Sequence, residues 1–311
     1  MSRSVETEKL SIIADYEDRC GECPVWDGDT SYLYWTDIAG CRFYRYHLPS
    51  RQHRVISSDF SINGFRLDKH GGFVITNSEG IWSWDGSSQP ELINDHLDGI
   101  KLRLNDCIAD PAGRLFTGSC YYNPHGEYQR GQLIRVDTDG RAVVVDTGFH
   151  MPNGLGFSPD CRTLYFTDSL VRRIYAYDYD VLTGEVCNRR IFIQVPREEG
   201  LPDGMTVDSE GFIWSAQWYG ACVVRYDPAG VVERKIRVPA KQVTSLAFGG
   251  DQLTDVFVTT AGESGPLPVM PPGYDPHSGY FGGRLYQFNA GIQGKREYKT
   301  DLRKIFCSSS R

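Results

Sequence analysis

Short runs of apolar and aromatic residues recur along the whole chain, and Gly, Pro, Asn or Asp bound most of them. Three such runs are Tyr32–Asp37, Phe73–Thr76 and Leu164–Asp168. Aromatic and β-branched side chains pack well on a pleated surface, and turn-forming residues limit the length of a strand. The pattern therefore predicts a protein built from many short β-strands.

The predicted strands fall into a unit that occurs six times. Each unit has a turn, a first strand, a second strand and an aromatic third strand, and it can be aligned on its first polar residue. The aligned residues are Glu22, Asn63, Asn105, Asn153, Asp203 and Thr244, at intervals of 41, 42, 48, 50 and 41 residues. Repeats of about this length are typical of four-stranded propeller blades.

We therefore predict an all-β fold, a six-bladed β-propeller with four antiparallel strands per blade, formed as a single domain by residues 1–311. The blades are expected to start near residues 21, 62, 104, 152, 202 and 243. A ring needs a strand from one terminus to complete a blade, because an open sheet edge invites aggregation. We expect the N-terminal strand, Leu10–Tyr16, to close the last blade beside Arg296–Thr300. The tail, residues 302–311, is expected to be frayed or disordered.

Composition argues against several classes of function. The net charge is −7 and the chain has no basic run, which argues against a nucleic-acid partner. No segment reaches the ~20 apolar residues of a membrane helix. The N-terminal residues lack the basic start and apolar core of a signal peptide. We therefore expect a cytoplasmic protein that is a monomer or a weak homo-oligomer.

The nine cysteines are expected to be free thiols, because the number is odd and the chain is long. Cys20 and Cys23 form the one C-x-x-C pair in the sequence. No second pair completes a zinc site, so two thiols beside a turn is the favoured interpretation.

The first strand of each propeller blade lines the central channel, so the six aligned residues should form a ring at one mouth of it. Glu22, Asn153 and Asp203 offer hard oxygen donors, with Asn105 as a fourth. Such donors suit one divalent cation, which we expect to be calcium, with zinc, manganese, magnesium or iron as alternatives. The ring has no histidine, which weakens the case for zinc without excluding it. A single Asn-Gly or Asp-Gly is ordinary turn chemistry, but three donors in one register favour a site.

The loops between the second and third strands should lie on the same face, because strand two returns to the mouth that strand one leaves. Two of them are long, Cys120–Gly131 and Gly262–Gly283. Long loops on a rigid scaffold often determine binding specificity. Tyr121 and Tyr122, at the start of the first of these loops, are therefore candidates for substrate contact.

The motifs around these positions resemble those of the SMP-30/gluconolactonase/regucalcin-like family of six-bladed propeller lactonases. The matching segments are Gly21–Trp26, Trp35–Ile38, Arg103–Arg114, Pro152–Asp160 and Pro202–Gly211.

The resemblance implies that Glu22, Asn153 and Asp203 bind one divalent cation and that Arg103 and Asn105 contact the substrate. It also implies a reaction, the metal-dependent hydrolysis of a sugar-acid lactone (an aldonolactone) to the free acid. The expected partner is thus a small-molecule sugar lactone.

The chain departs from the family pattern directly after Ser119. Relatives often carry an acidic, substrate-contacting residue where this chain has Cys120, Tyr121 and Tyr122. The departure indicates a ring or a substituent different from that of gluconolactone.

A mechanism follows as a hypothesis. The cation would polarise the lactone carbonyl, and Asp203, as the catalytic base, would take a proton from the attacking water. Arg103 would stabilise the developing oxyanion; its alternative role is a salt bridge, for example with Asp106. The sequence contains no Gly-x-Ser-x-Gly elbow, so a serine hydrolase has little support.

Two other functions stay open at this stage. A metal-dependent organophosphate or fluorophosphate hydrolase is one, because a similar propeller can carry that chemistry. A non-catalytic calcium-binding propeller is the other, although a pure ion buffer would need neither Arg103 nor Asn105. Lactone and phosphotriester substrate panels separate these alternatives.

Overall fold

The computed structural model describes residues 9–121, 129–263, 265 and 267–302. Tyr122 and residues 303–311 of the predicted tail lie outside this part of the chain. In chain order the strands are β1 (Ser11–Asp15), β2 (Gly21–Asp27), β3 (Tyr32–Asp37), β4 (Arg42–His47), β5 (Gln52–Ser57), β6 (Gly64–Leu67), β7 (Phe73–Asn77), β8 (Gly80–Trp84), β9 (Glu91–Asn94), β10 (His96–Leu97), β11 (Ile100–Lys101), β12 (Leu104–Ala109), β13 (Leu115–Ser119), β14 (Gly131–Val136), β15 (Ala142–Phe149), β16 (Pro152–Phe157), β17 (Thr163–Asp168), β18 (Arg173–Tyr179), β19 (Val186–Gln194), β20 (Leu201–Val207), β21 (Ile213–Trp218), β22 (Cys222–Tyr226), β23 (Val232–Arg237), β24 (Val243–Gly249), β25 (Asp255–Thr260) and β26 (Arg284–Asn289). A short 3-10 helix spans Ser169–Val171.

Within the described residues, these strands form six four-stranded antiparallel sheets and one small hairpin, β10–β11. The sheets are the blades of a propeller, and the predicted all-β fold with four antiparallel strands per blade is confirmed. From the axis outwards, blades 1 to 6 are β2–β5, β6–β9, β12–β15, β16–β19, β20–β23 and β24-β25-β26-β1. No helix among the described residues has the length and apolar character needed to cross a bilayer.

The N-terminal strand closes the ring, as predicted, but its predicted partner was wrong. Strand β1 pairs antiparallel with β26, with Ser11 opposite Gln287 and Asp15 opposite Arg284. It does not lie beside Arg296–Thr300, because that segment runs across another face of the ring. The connection after β1 is fixed to blade 6 by the backbone N–H of Asp18, which donates to the carbonyl of Gly283 at 2.9 Å.

Six clusters of buried apolar side chains form the core in the described residues, and each lies between two neighbouring blades. Between blades 6 and 1, for example, Phe257 stacks on Trp26 with 6.0 Å between ring centroids, and within blade 1 Trp35 stacks on Tyr44 at 4.7 Å. A blade buries its faces against its neighbours, so the core is complete only when the ring is closed. Closure in turn places the six first strands around one axis.

Residues 290–302 form a strap across the face opposite the predicted mouth. The strap contacts the turn between the first and second strands of all six blades. In blade order the contacts are Lys299 Nζ to Asp29 Oδ2 (2.7 Å), Thr300 Oγ1 to Asp68 Oδ2 (2.7 Å), Asp301 N to Gly113 O (2.8 Å), Tyr298 Oη to Cys161 Sγ (2.9 Å), Ser209 N to Gln293 O (2.9 Å) and Gly294 N to Leu253 O (2.7 Å). Leu302, at the end of the strap, is fully buried between blades 2 and 3, so the expectation that fraying starts there was wrong.

Candidate metal and substrate site

A cavity of about 450 Å³ lies at the mouth from which the first strands leave. Its volume is within the usual range for small-molecule pockets. The first strands and the residues just before them contribute Glu22, Asn63, Arg103, Asn105, Asn153 and Asp203. The ends of the second strands and the loops that follow them contribute residues from every blade, namely Ile38, Ser78, Cys120, Ser169, Trp218, Gly265 and Leu267. The structure thus brings together the donors that the repeat alignment placed in one ring.

The sixth aligned position is the exception. Thr244 is fully buried, and its hydroxyl donates to the carbonyl of Gly21 at 2.6 Å. This hydrogen bond joins the first strands of blades 6 and 1 instead of presenting an oxygen to the cavity.

The first strands are irregular at the positions that carry the candidate donors. The pairing register shifts between Glu22 and Val25 in β2, between Pro152 and Leu155 in β16, and at the corresponding places in β12 and β20. A bulge re-aims the side chains that it contains and occurs often beside active sites. The irregularities explain how side chains at the start of a strand turn into the channel.

The glycine of each Pro-Asn-Gly and Pro-Asp-Gly motif is needed because the first strands approach closely. A Cβ atom on Gly154 would lie 2.5 Å from the backbone oxygen of Asp203. A Cβ atom on Gly204 would lie 2.2 Å from the Ser245 hydroxyl oxygen. The motif therefore couples a donor side chain to a glycine that lets the next blade pack directly behind it.

Asn105 and Asn153 form one hydrogen-bonded unit. The Nδ2 atom of Asn105 donates to Asn153 Oδ1 at 2.5 Å and to the carbonyl of Pro152 at 2.9 Å. The Nδ2 atom of Asn153 donates to Ser169 Oγ at 2.9 Å. These bonds fix the amide of Asn153 with its oxygen towards Asn105, and the second lone pair of that oxygen stays available. The orientation of Asn153 by Asn105 and Ser169 was not predicted from the sequence.

Glu22 and Asp203 carry carboxyl groups that have no cationic side chain as a partner among the described residues, although the backbone N–H of Cys23 donates to Glu22 Oε2 at 2.9 Å. Burial raises the pKa of Glu22 well above its ordinary value, and repulsion by Asp203 and then Asp106 adds to the effect. The pKa of Asp203 is likewise raised by burial and then by Asp106. Within the described part of the chain, no lysine or arginine stabilises either charge. A bound cation would stabilise both, and two carboxylates with one amide oxygen are the donors that a hard divalent ion prefers.

Among the described residues, no three or more His, Cys, Asp or Glu side chains are grouped so as to hold a metal ion. The predicted set contains only two residues of these types, since its third member is an asparagine. The eight cysteines of the described residues are free thiols, including Cys20 and Cys23.

Asp106 belongs to the channel below the cavity. It faces Arg66, with 4.0 Å between Oδ1 and Nη2, and Arg66 also donates to the carbonyl of Phe65 at 2.6 Å. Arg66 thus supplies the positive charge next to Asp106, a role that was predicted as the alternative for Arg103. The side chain of Arg103 is exposed at the cavity, where it is available to a ligand.

Tyr121 lies beside the cavity and is not among its lining residues. Its hydroxyl donates to the carbonyl of Lys101 at 3.4 Å. Several lining residues were missed by the sequence reasoning, among them Ser78, Ser169 and Trp218. Ser78 and Ser169 directly follow the second strand of their repeat and Trp218 is the last residue of that strand, so alignment of the repeats on the end of the second strand would have found them.

The fold and the cavity together define a class: a six-bladed β-propeller with a cavity at one mouth of its channel that carboxyl, amide and guanidinium groups line in part. Residues 20–262 match the family described as SMP-30/Gluconolactonase/LRE-like region, and the chain belongs to this family. The resemblance noted in the sequence is therefore confirmed.

Three similar proteins illustrate the family. The pentonolactonase XacC of Haloferax volcanii is 38% identical over 298 residues, which cover 94% of this chain and 99% of that protein. A solved structure of a luciferin-regenerating enzyme has a TM-score of 0.84 with 30% identity, covering 95% of this chain and 100% of that one. The structure of regucalcin from Agrobacterium tumefaciens, described as a calcium-binding protein, has a TM-score of 0.81 with 25% identity. The match covers 97% of this chain and 100% of that one.

Proposed function

We propose that this protein hydrolyses a sugar lactone to the free acid with the help of one divalent cation. The observation that carries the proposal is the pair of uncompensated carboxyl groups, Glu22 and Asp203, at the mouth that also presents Arg103 and Asn105. The similarity to a pentonolactonase over nearly the whole chain makes five-carbon aldonolactones the first substrates to test.

Glu22, Asn153 and Asp203 would hold the cation, and calcium is the first candidate. All three offer oxygen atoms, which calcium prefers, and a structural relative is described as a calcium-binding protein. When bound, the cation supplies Lewis acidity towards the lactone carbonyl. Two carboxylates and one neutral amide leave most positions around such an ion to water and substrate.

The residues of the chain have distinct roles in the proposed reaction. Asp203 takes a proton from the attacking water while the water oxygen bonds to the carbonyl carbon. The guanidinium of Arg103 stabilises the negative charge that develops on the carbonyl oxygen. The ring C–O bond then breaks, and the departing oxygen takes the proton from Asp203 to become a hydroxyl group. The product is the open-chain hydroxy acid.

Asn105 would interact both with Asn153, a proposed ligand of the cation, and with the substrate. Its Nδ2 atom is used by Asn153 and Pro152, so its Oδ1 atom is the one left to accept a hydrogen bond from a substrate hydroxyl. A single side chain would thus orient a ligand of the cation and the sugar together.

The test is acid release from a panel of aldonolactones, measured with added Ca²⁺, Zn²⁺, Mn²⁺ or Mg²⁺ and after chelation. We expect turnover that chelator abolishes and one of these ions restores. Asp203→Asn should lower kcat/KM by about 10²–10⁴-fold, because it removes the base and one ligand. Glu91→Gln, at an exposed position on β9, is the matched control.

Two outcomes would contradict the proposal. Full activity in Asp203→Asn would remove the assigned base and ligand. Turnover of a phosphotriester panel without turnover of any lactone would replace the reaction by the organophosphate alternative.

A further inference from the structure

The two sides of the cavity differ in polarity. Blades 2 and 3 contribute mostly polar side chains, Asn63, Ser78, Arg103 and Asn105, together with Leu104 and Cys120. In a six-bladed ring these blades lie opposite blades 5 and 6. On that opposite side Leu201, Trp218 and Leu267 form an apolar wall, and Asp203 of blade 5 is the charged residue among the lining residues there. A ligand that spans the mouth meets hydrogen-bonding groups at one edge and hydrocarbon at the other.

Trp218 contributes to the apolar character of this wall. Its indole Nε1 atom is buried and has no hydrogen-bond partner among the described residues, so this nitrogen is not offered to the cavity. A Cβ atom added to Gly265 would lie 3.3 Å from the Cζ2 atom of the indole, so the loop of blade 6 packs directly on the ring.

Tyr219 holds the part of the wall that belongs to blade 6. Its hydroxyl donates to the carbonyl of Gly265 and accepts from the backbone N–H of Leu267 at 2.8 Å. Tyr219 has a φ of 69°, a left-handed conformation that residues other than glycine adopt rarely. The strained backbone places the hydroxyl between the two loop residues and fixes Leu267 at the cavity.

Two further buried side chains tie the same loop to the ring. The guanidinium of Arg172 donates to the carbonyls of Val269 at 2.6 Å and Gly200 at 2.8 Å. The Nε2 atom of Gln242 donates to the carbonyls of Glu263 at 2.6 Å and Ala261 at 3.0 Å. The apolar wall is therefore built into the structure by polar groups of blades 4, 5 and 6.

From this asymmetry we infer that the substrate carries an apolar group, such as a terminal methyl, against the wall of Trp218 and Leu267. This inference rests on the proposed lactone hydrolysis and narrows its substrate class to deoxy-aldonolactones. Hydroxyl groups of the sugar face Arg103 and Asn105. A terminal hydroxyl placed against the wall would lose its hydrogen bonds to water without replacement, whereas a methyl group would gain apolar contact.

The experiment compares kcat/KM for lactones that differ only in a terminal methyl or hydroxymethyl group. Suitable pairs are L-fucono-1,4-lactone with L-galactono-1,4-lactone, and 5-deoxy-L-arabinono-1,4-lactone with L-arabinono-1,4-lactone. The protein is used as the full chain with the activating cation. We expect the methyl lactone of each pair to be favoured by about tenfold or more, the selectivity typical of an apolar pocket.

Two variants test whether the wall causes the preference. Leu267→Asn should reduce the ratio within each pair to about one or invert it, because it offers hydrogen-bonding groups to the hydroxymethyl substituent. Tyr219→Phe, which removes the hydroxyl that positions Leu267, should reduce the ratio through a higher KM for the methyl lactone. Leu92→Asn, at a 43% exposed position on β9, should leave the ratio unchanged.

The outcomes separate the inference from the proposed function. Hydrolysis of both members of each pair at equal kcat/KM, or preference for the hydroxymethyl member, would overturn the inference and leave the lactonase proposal standing. An unchanged ratio in Leu267→Asn would also overturn it. Absence of hydrolysis of every lactone with every cation would overturn both.

Discussion

Asp18 joins the last blade to the first, and its ionisation should make the stability of the ring depend on pH. Its backbone is bonded to Gly283 of blade 6, and its carboxylate accepts from Tyr44 Oη at 2.5 Å and Trp35 Nε1 at 3.1 Å in blade 1. Burial raises the pKa of Asp18 to about 6 from its ordinary value of 3.8, opposed by the bond from Tyr44 and reinforced by repulsion from Asp37. The side chain is 4% exposed, so solvent screens this effect little.

The direction of the pH effect follows from the raised pKa. The native state binds a proton at Asp18 between about pH 3.8 and 6, where the unfolded state has released it. The resulting stabilisation is complete below pH 3.8 and is lost as the pH rises through about 6. A pKa difference of about two units corresponds to about 3 kcal/mol in the free energy of unfolding.

The assay is urea unfolding of wild type and Asp18→Asn from pH 4 to pH 7 in chelator-treated buffer. Other carboxyl groups titrate in both proteins and cancel in the difference. We expect the wild-type value minus the variant value to fall by about 3 kcal/mol between pH 4 and 7. A difference that is constant with pH would refute the reasoning. Asp15→Asn, which removes an exposed ion pair with Arg284, is the control and should change stability by about 0–1 kcal/mol at pH 7.

Three substitutions test other parts of the structure. Gly154→Ala should lower both the free energy of unfolding and the cation affinity, measured by urea unfolding and calorimetric titration, because its Cβ would meet the backbone of the next blade. Leu302→Ala should destabilise the protein by about 2–5 kcal/mol in urea unfolding, whereas Val231→Ala, at a 55% exposed position, should change it by under about 0.5 kcal/mol. Asn105→Ala should weaken cation binding as well as kcat/KM, since it removes the donor to Asn153; unchanged cation affinity would contradict that role.

The ring and the register of its first strands could be predicted because each repeat contains, within a few residues, both the turn that begins a strand and the polar residue on which the repeats align. In Pro152-Asn153-Gly154, the turn residues mark the start of a strand and the asparagine supplies a donor side chain. Contact with the next blade requires the glycine that directly follows the aligned residue in three of the six units, Gly64, Gly154 and Gly204. At these positions the residues that form the turn are thus also the residues that the packing of neighbouring blades requires.

The closing contacts could not be predicted in the same way. Strand β26 is the third strand of the last repeat and the strap segment Arg296–Thr300 follows it, and only long-range packing decides which of the two pairs with β1. The strap has no counterpart in the repeats, and its contacts reach all six blades, with Arg296 and Lys299 both bonded to Asp29 of blade 1. The burial of Leu302 depends on side chains more than a hundred residues away in the sequence, such as Ile134 and Val136.

The apolar wall also could not be predicted from the repeat alignment. Leu267 lies in the long loop Gly262–Gly283, whose sequence matches none of the other units, and its position depends on the hydroxyl of Tyr219 in the neighbouring blade. The sequence indicated that the loop between blade strands faces the mouth, but not which of its side chains would line the cavity.

The central claim is that one cation, held by Glu22, Asn153 and Asp203, is required for lactone hydrolysis. The most direct measurement determines the cation bound per chain and the rate of acid release in the same samples as a chelated protein is titrated with Ca²⁺. The account predicts that activity rises in proportion to occupancy and saturates at one ion per chain, and that Asp203→Asn gains neither the ion nor the activity. Full lactone hydrolysis by the ion-free protein would contradict it.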